Sequence, residues 1–283
     1  MKKIWLACVG LMMLLIPGMA IQGSSIQMEI EPARFEIPLT PNRTTTGAIV
    51  IKNKSGQAVQ ISAMTCDWEM DEYGNPDFAE PSSRSDSCAG WITFNPRRFR
   101  IEGGKQQVVR FGITPPAAAK TGEYRSAIRF GTQPLITNEN ATLISGNIMV
   151  TIYAVLPEVE RDGRIARAEA GYAADSKIIS SVLEVESLGT AHIRFTPSFQ
   201  VKSADGRIVA AGNYDGGVVF DGQKRILHGY CLSELAPGQY TVESVLQFQD
   251  PFYIDRNKQQ LPEYPPGVSQ LNAAAGFTVN KGD

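Results

Sequence analysis

Histidine is almost missing from this chain, with His192 in GTAHIRF and His228 in ILHGY the only two among 283 residues. Neither stands at metal-ligand spacing to a cysteine, a carboxylate or the other histidine, so both read as structural and no metal site is assigned. Also missing are a nucleophile elbow, a phosphate loop, a glycine-rich dinucleotide fingerprint and a zinc-protease helix. A catalytic reading therefore has little to stand on, and no cofactor is expected. Excess charge of one sign is lacking too, since 27 basic residues face 29 acidic ones. That mixture argues against an electrostatic nucleic-acid binder, which would show a basic patch or a strongly positive domain.

Long apolar runs are confined to the start, MKKIWLACVGLMMLLIPGMA. Lys2 and Lys3 precede the run, and Gly18 and Ala20 close it in the spacing a signal peptidase accepts. The run is short for a membrane span, and Pro17 and Gly18 break it near its end. It reads as a secretory signal over residues 1 to 20, leaving a soluble protein outside the cytoplasm with no membrane insertion. Removing twenty of 283 residues leaves 263, more than one sandwich usually needs and suited to two domains. Losing Lys2 and Lys3 leaves 25 basic against 29 acidic residues, a balance of −4.

Cysteine is scarce: four residues, of which Cys8 leaves with the leader. Cys66 and Cys88 stand 22 apart on either side of a polar loop containing Pro and Ser. In an oxidising compartment a disulfide between them is the natural pairing, and closing a loop of about 20 residues contributes about 3 kcal/mol. Cys231, in HGYCLSEL, has no cationic neighbour in sequence and reads as a small buried hydrophobe.

No stretch carries a convincing helical pattern, and short strands follow one another from end to end. TGAIVIKN, AVQISAMTCDWEM, WITF, KQQVVRFGI and GEYRSAIRF fill the first half, separated by turn signals such as KSGQ, EYGNPD and EGGK. KIISSVLEVES, AHIRFTPSFQVK, KRILHGYCL and GQYTVESVLQF continue the style in the second. The expected fold is all-β, two immunoglobulin-like sandwiches in tandem over 21–158 and 159–283, joined at LPEVERDGRI. GEYRSAIRF and GQYTVESVLQF each place Gly-x-Tyr at the head of a late strand, where Tyr124 and Tyr240 can turn their hydroxyls back onto the preceding corner.

The densest polar cluster is CDWEMDEYGNPDFAE, with Asp67, Glu69, Asp71, Glu72, Asp77 and Glu80 around a Gly74-Asn75 turn. Such oxygen ligands can hold calcium, but the spacing lacks the fixed glycine and terminal glutamate of a calcium loop, so the cluster reads as a solvated hairpin tip. The triplets NRT, NKS and NAT fit a glycosylation pattern that matters only in a glycosylating host. Arg34 lies between apolar neighbours in IEPARFEIPL, and Arg97, Arg98 and Arg100 follow in FNPRRFRIEGG. They are either solvated strand positions or guanidinium forks shaped for a carboxylate.

GNIMVTIYAVLP, residues 146 to 157, breaks the alternation that one wet and one dry face impose. One parity holds Ile148, Val150, Ile152, Ala154 and Leu156; the other holds Met149, Thr151, Tyr153 and Val155. Both faces are dressed for burial, so something must cover the second: the other domain or a partner.

Several stretches resemble the periplasmic pilus-assembly chaperones, the PapD-like family. IEPARFEI is similar to the family's first strand with its arginine, and IVIKNKSGQAVQISAMTCDW to its second and third strands around a central Asn. FNPRRFRIEGGKQQVVRF is similar to its Pro-x-x-Phe, glycine turn and following strand. VESLGTAHIRFTPSFQVKSADGRIV resembles its Asn-x-Gly-x-x-His strand and Asp-Gly hairpin, with Ser187 where Asn is usual.

The resemblance implies two immunoglobulin-like domains in the periplasm, secreted pilus-like subunits as partners, and an outer-membrane usher beyond them. It implies that the last strand of the first domain is lent to a subunit lacking one, with Ile148, Val150, Ile152 and Ala154 as the donated row and the other parity on the chaperone's own core. It implies Arg34 as anchor for the subunit's terminal carboxylate. The lysine that accompanies that arginine in the family is missing from residues 141 to 157, and Ile152 lies close to where it would fall. The family's Arg-Glu-Ser run is replaced by GEYRSAIRF, which marks a divergent member. The competing reading is an exported structural or adhesive subunit of a surface assembly built from the same two sandwiches.

Overall fold

The computed structural model describes residues 27–134, 146–249 and 268–280, so the leader expected at residues 1 to 20 lies outside the described residues. The first half forms β1 (Met28–Glu31), β2 (Arg34–Pro38), β3 (Thr45–Asn53), β4 (Val59–Met70), β5 (Pro76–Ala79), β6 (Ile92–Asn95), β7 (Arg98–Ile101), β8 (Gln106–Ile113), β9 (Gly122–Pro134) and β10 (Gly146–Leu156). The second forms β11 (Gly163–Ala173), β12 (Ile178–Ser187), β13 (Ile193–Ser203), β14 (Ile208–Asn213), β15 (Val218–Val219), β16 (Lys224–Leu232), β17 (Gly238–Gln249) and β18 (Val268–Val279). Among the described residues the only helical turn is a 3-10 turn over Ala89–Trp91.

Each half is a sandwich of two sheets, as the strand pattern requires. The first packs β1-β3-β8-β6 against β2-β10-β9-β4, with β5 and β7 both pairing β4. The second packs β11-β12-β16 against β14-β13-β17-β18, with β15 pairing β13. Period-two alternation decides which side chains enter each core. In β12, Ile179, Leu183 and Val185 point inward together with Ser181 and Ser187, while the residues between them are half-exposed. Ile49, Ile51, Val109, Ile128 and Phe130 fill the first core; Phe199, Val201, Leu227, Val242 and Leu246 fill the second.

Both corner tyrosines behave as their position predicts. Tyr124 Oη donates to the Lys120 carbonyl at 3.2 Å, and Tyr240 Oη donates to the Ala236 carbonyl at 2.8 Å. Asn53, at the end of β3, is buried and fully used: its Nδ2 donates to the Gln57 and Ile101 carbonyls at 2.7 and 3.0 Å, and its Oδ1 accepts from the Ser55 N–H and hydroxyl. An amide committed in this way ties the β3–β4 turn to the end of β7.

The disulfide expected between Cys66 and Cys88 is not formed; both are free, buried thiols. Cys66 pairs across from Ala127, and the segment around Cys88 runs beside Arg125 on the same side of β9. The two side chains nevertheless enter different clusters. Cys88 enters the core of the first sandwich, whereas Cys66 joins Trp68 and Tyr153 on the outer face of the sheet. Side chains on opposite faces of a sheet cannot be bridged without moving backbone. Cys231 is half-buried against the second core.

Candidate functional site

β10 is built by the pairing of two different neighbours. β9 runs antiparallel along its whole length, from Gly146 opposite Thr132 to Leu156 opposite Gly122. β2 runs parallel to it on the other edge, but only from Thr151 to Val155. The reason is that the first strand changes sheets: β1 pairs with β3 in the opposite sheet, and the chain crosses over at 32–33 before β2 begins. Pro32, with no N–H to offer a ladder, sits at that crossing. Residues 146–150 of β10 therefore have no strand partner on their outer edge among the described residues.

The direction of the backbone groups on that edge follows from the ladder. Thr151 N–H donates to the Ala33 carbonyl at 3.1 Å, and the Val155 carbonyl accepts from Leu39 N–H at 2.8 Å. Odd-numbered residues thus point their peptide groups towards β2, and even-numbered ones towards β9. Asn147 and Met149 continue the odd row beyond the end of β2, where their peptide groups meet no strand among the described residues.

The side-chain parity of β10 is the reverse of that expected. Val150, Ile152 and Ala154 are fully buried in the first domain's own core, and Ile148 alone of the expected donated row is partly exposed. A one-residue shift in facing exchanges the two rows, and sequence has no means of telling which apolar row is inside when both are apolar. Ile152 also points away from the cleft, so it does not stand in for the missing lysine. The other row answers the question of the second face. Tyr153 packs with Trp68, Cys66 and Ala127 against Val218 and Phe220 of the second domain, with Met149 at the margin. Trp68 meets Phe220 and Tyr153 edge-on, with ring centroids 5.1 and 5.7 Å apart. The second domain thus covers the far end of β10, and among the described residues it does not reach the near end.

Charged groups surround this aromatic plug. Arg125 of β9 is buried and contacts Asp86, Glu123 and Asp221, the last belonging to the second domain and lying 2.6 Å away. Its guanidinium also lies 4.2 Å from the Phe220 ring centroid. Burial disfavours its charge, but these carboxylates outweigh that and hold its pKa above the ordinary arginine value. His192, at the start of β13, places Nδ1 2.6 Å from Glu123 Oε2 and Nε2 3.8 Å from Glu36. It serves as an interdomain strut.

The acidic β4–β5 hairpin carries its side chains in solvent, as its composition suggested, with Asp71, Glu72, Asp77 and Glu80 all exposed, but its backbone also reaches the second domain. The Glu72 carbonyl accepts from Ile226 N–H of β16 at 2.7 Å, and Arg225 lies against Gly74. The hairpin is a strap across the domain junction, and no residue group fit to hold a metal ion is found among the described residues.

Arg34, at the head of β2, opens into a cleft of about 390 Å³ between the domains, lined also by Glu36, Arg161, His192, Arg194 and Thr196. It is half-exposed and pairs with Glu36 at 3.1 Å. Burial pushes the Glu36 carboxyl up, but the hydrogen bond and charge of His192, with Arg194 and Arg34 behind, bring it down to about 2. Sequence reading found Arg34 but missed Arg194 and Glu36. The alternation in HIRFTPSF puts Arg194 opposite the core row, but nothing in sequence brings it to β2.

No family model matches the chain, and no curated protein matches it. Solved structures do. The YadV chaperone is 8% identical, with the match covering 87% of this chain and 99% of that one at a TM-score of 0.48. The SafB chaperone in complex with the SafA pilin, from Salmonella enterica, is 9% identical over 90% of this chain and 98% of its own, with a TM-score of 0.46. The CupB2 chaperone of Pseudomonas aeruginosa is 10% identical over 87% and 100%, with a TM-score of 0.45. The chain is thus similar to these chaperones from end to end of their length, at very low identity.

Proposed function

We propose that the chain is a periplasmic assembly chaperone that receives secreted, pilus-like subunits by strand addition along the outer edge of β10 and passes them to an outer-membrane usher. The observation that carries this reading is the edge itself: Asn147 and Met149 turn outward peptide groups that pair with no strand among the described residues, beside the partly exposed side chains of Ile148 and Met149. An open edge beside apolar side chains is what an extended segment of another chain needs in order to join a sheet. The edge runs towards Arg34, where the terminal carboxylate of that segment would be anchored.

Proline substitution tests this directly. Met149→Pro removes an N–H from the open edge while leaving the β9 ladder intact, whereas Ile148→Pro attacks the β9 ladder. With a synthetic peptide of about twelve alternating valine and threonine residues as probe, Met149→Pro should bind about tenfold more weakly, the worth of one hydrogen bond, with an unchanged melting curve. Equal binding by wild type and Met149→Pro would rule out addition at this edge.

A further inference from the structure

Three guanidinium groups line the interdomain cleft, from Arg34, Arg161 and Arg194, and among the described residues Glu36 is the one carboxylate on its wall. Arg161 lies 3.7 Å from Glu123, which is buried behind the cleft and shared with His192 and Arg125. The described lining therefore carries more positive than negative charge, and its half-exposed arginines are Arg34 on the first domain and Arg194 on the second. Both turn Nε towards the same oxygen, Glu36 Oε1, at 3.1 Å for Arg34 and 3.4 Å for Arg194. Arg194 is further set by Nη2 donating to Tyr153 Oη at 3.1 Å and by its position 5.6 Å from the Tyr153 ring centroid. With one edge of each fork turned to Glu36, the remaining Nη donors are left for a second carboxylate, which a pair of guanidinium groups binds well.

We infer that Arg194 is the second cationic arm of a carboxylate clamp, closed across the domain junction against Arg34, with Glu36 as the residue that positions both forks. This rests on the strand-addition reading for the source of the carboxylate, the free end of the added segment, but not for the clamp itself. The missing lysine of β10 is then no loss of function, because the second charge arrives from the other domain. Capture of a chain end becomes dependent on the angle between the domains, which the Trp68–Phe220 contact and the Glu72–Ile226 hydrogen bond hold.

The test separates the clamp from the strand edge. N-acetyl-alanine, a carboxylate with no strand to add, is titrated into the full-length protein while the arginine Nε–Hε signals are followed by NMR. The signals of Arg34 and Arg194 should move together along one saturation curve, and N-acetyl-alanine amide should move neither. Arg194→Met should weaken the response at Arg34 about tenfold, and Arg194→Lys, which keeps the charge but not the fork, should restore part of it. Glu36→Gln should weaken binding while leaving the free-acid preference in place. An unchanged Arg34 response in a folded Arg194→Met protein overturns the clamp, as does the absence of any response to the free acid. Failure of the strand-addition reading shows separately, as indifference of the valine–threonine peptide to Met149→Pro.

Discussion

Arg225 lies so close over Gly74 that a Cβ built on the glycine would stand 1.6 Å from a guanidinium nitrogen. The two residues belong to different domains, so this contact, with the Ile226–Glu72 hydrogen bond beside it, makes the β4–β5 hairpin a brace. Relative motion of tandem domains is the default unless their interface is large and apolar. Here an aromatic plug, a buried arginine with carboxylates from both domains, and a hairpin strap all cross the junction.

Gly74→Ala tests the brace. The glycine has φ of +85° and is pressed by Arg225, so the substitution should cost about 1–3 kcal/mol from backbone strain and the displaced guanidinium. Urea unfolding measures the loss. Small-angle scattering should show a broader distribution of interdomain distances. A variant as stable and as compact as wild type would mean that the hairpin merely rests on the second domain.

Glu36 links the cleft to pH. Its carboxyl titrates at about 2 in the folded protein against 4.5 for the free side chain, since burial is outweighed by His192, Arg194 and Arg34. A lowered folded value contributes stability above the unfolded pKa and loses it as pH falls through the folded one. The stability difference between wild type and Glu36→Gln should therefore be full above about pH 5 and shrink towards pH 2. Urea midpoints measured across that window check the sign.

Asn53→Ala should cost about 2 kcal/mol, because it strands the Gln57 and Ile101 carbonyls without their donor in a buried corner. Asn53→Asp is a sharper probe: it keeps the acceptor used by Ser55 but replaces the donor with a buried charge, so it should be at least as destabilising as alanine. Equal stability of either variant in urea would mean that the turn is held from elsewhere.

The thiols offer a further check. Burial pushes Cys88 up to about 12 and raises Cys66 as well, which leaves both protonated and unreactive in the folded state. Alkylation with iodoacetamide, read by mass spectrometry, should modify Cys66 and Cys88 only after unfolding, and a reducing agent should leave the melting temperature unchanged. A drop on reduction would restore the disulfide.

Period-two alternation and turn chemistry sufficed to place most of the strands, because both are local. GEYRSAIRF and GQYTVESVLQF fall within strands, as does KIISSVLEVES from Ile178 onward, and the Gly-x-Tyr corners make the hydrogen bonds their positions imply. Short strands without such a signal were missed: PDFA and RFRI gain their pairing from β4, and the two-residue β15 gains its from β13. Arg34 was legible from its setting among apolar neighbours. Its companions were not: Arg194 lies 160 residues away, and Glu36, two residues on in β2, gains its role only when Arg194 and His192 of the second domain meet it.

What the amino-acid sequence alone determined was the all-β class, the two sandwiches and a last strand of the first domain with two apolar faces. Tertiary structure decided which face is inside, that Cys66 and Cys88 enter different clusters, and that an acidic hairpin reaches the second domain. Local pattern records only that a side chain must be covered. What covers it depends on elements distant in the chain meeting in space, and those contacts leave no periodicity behind.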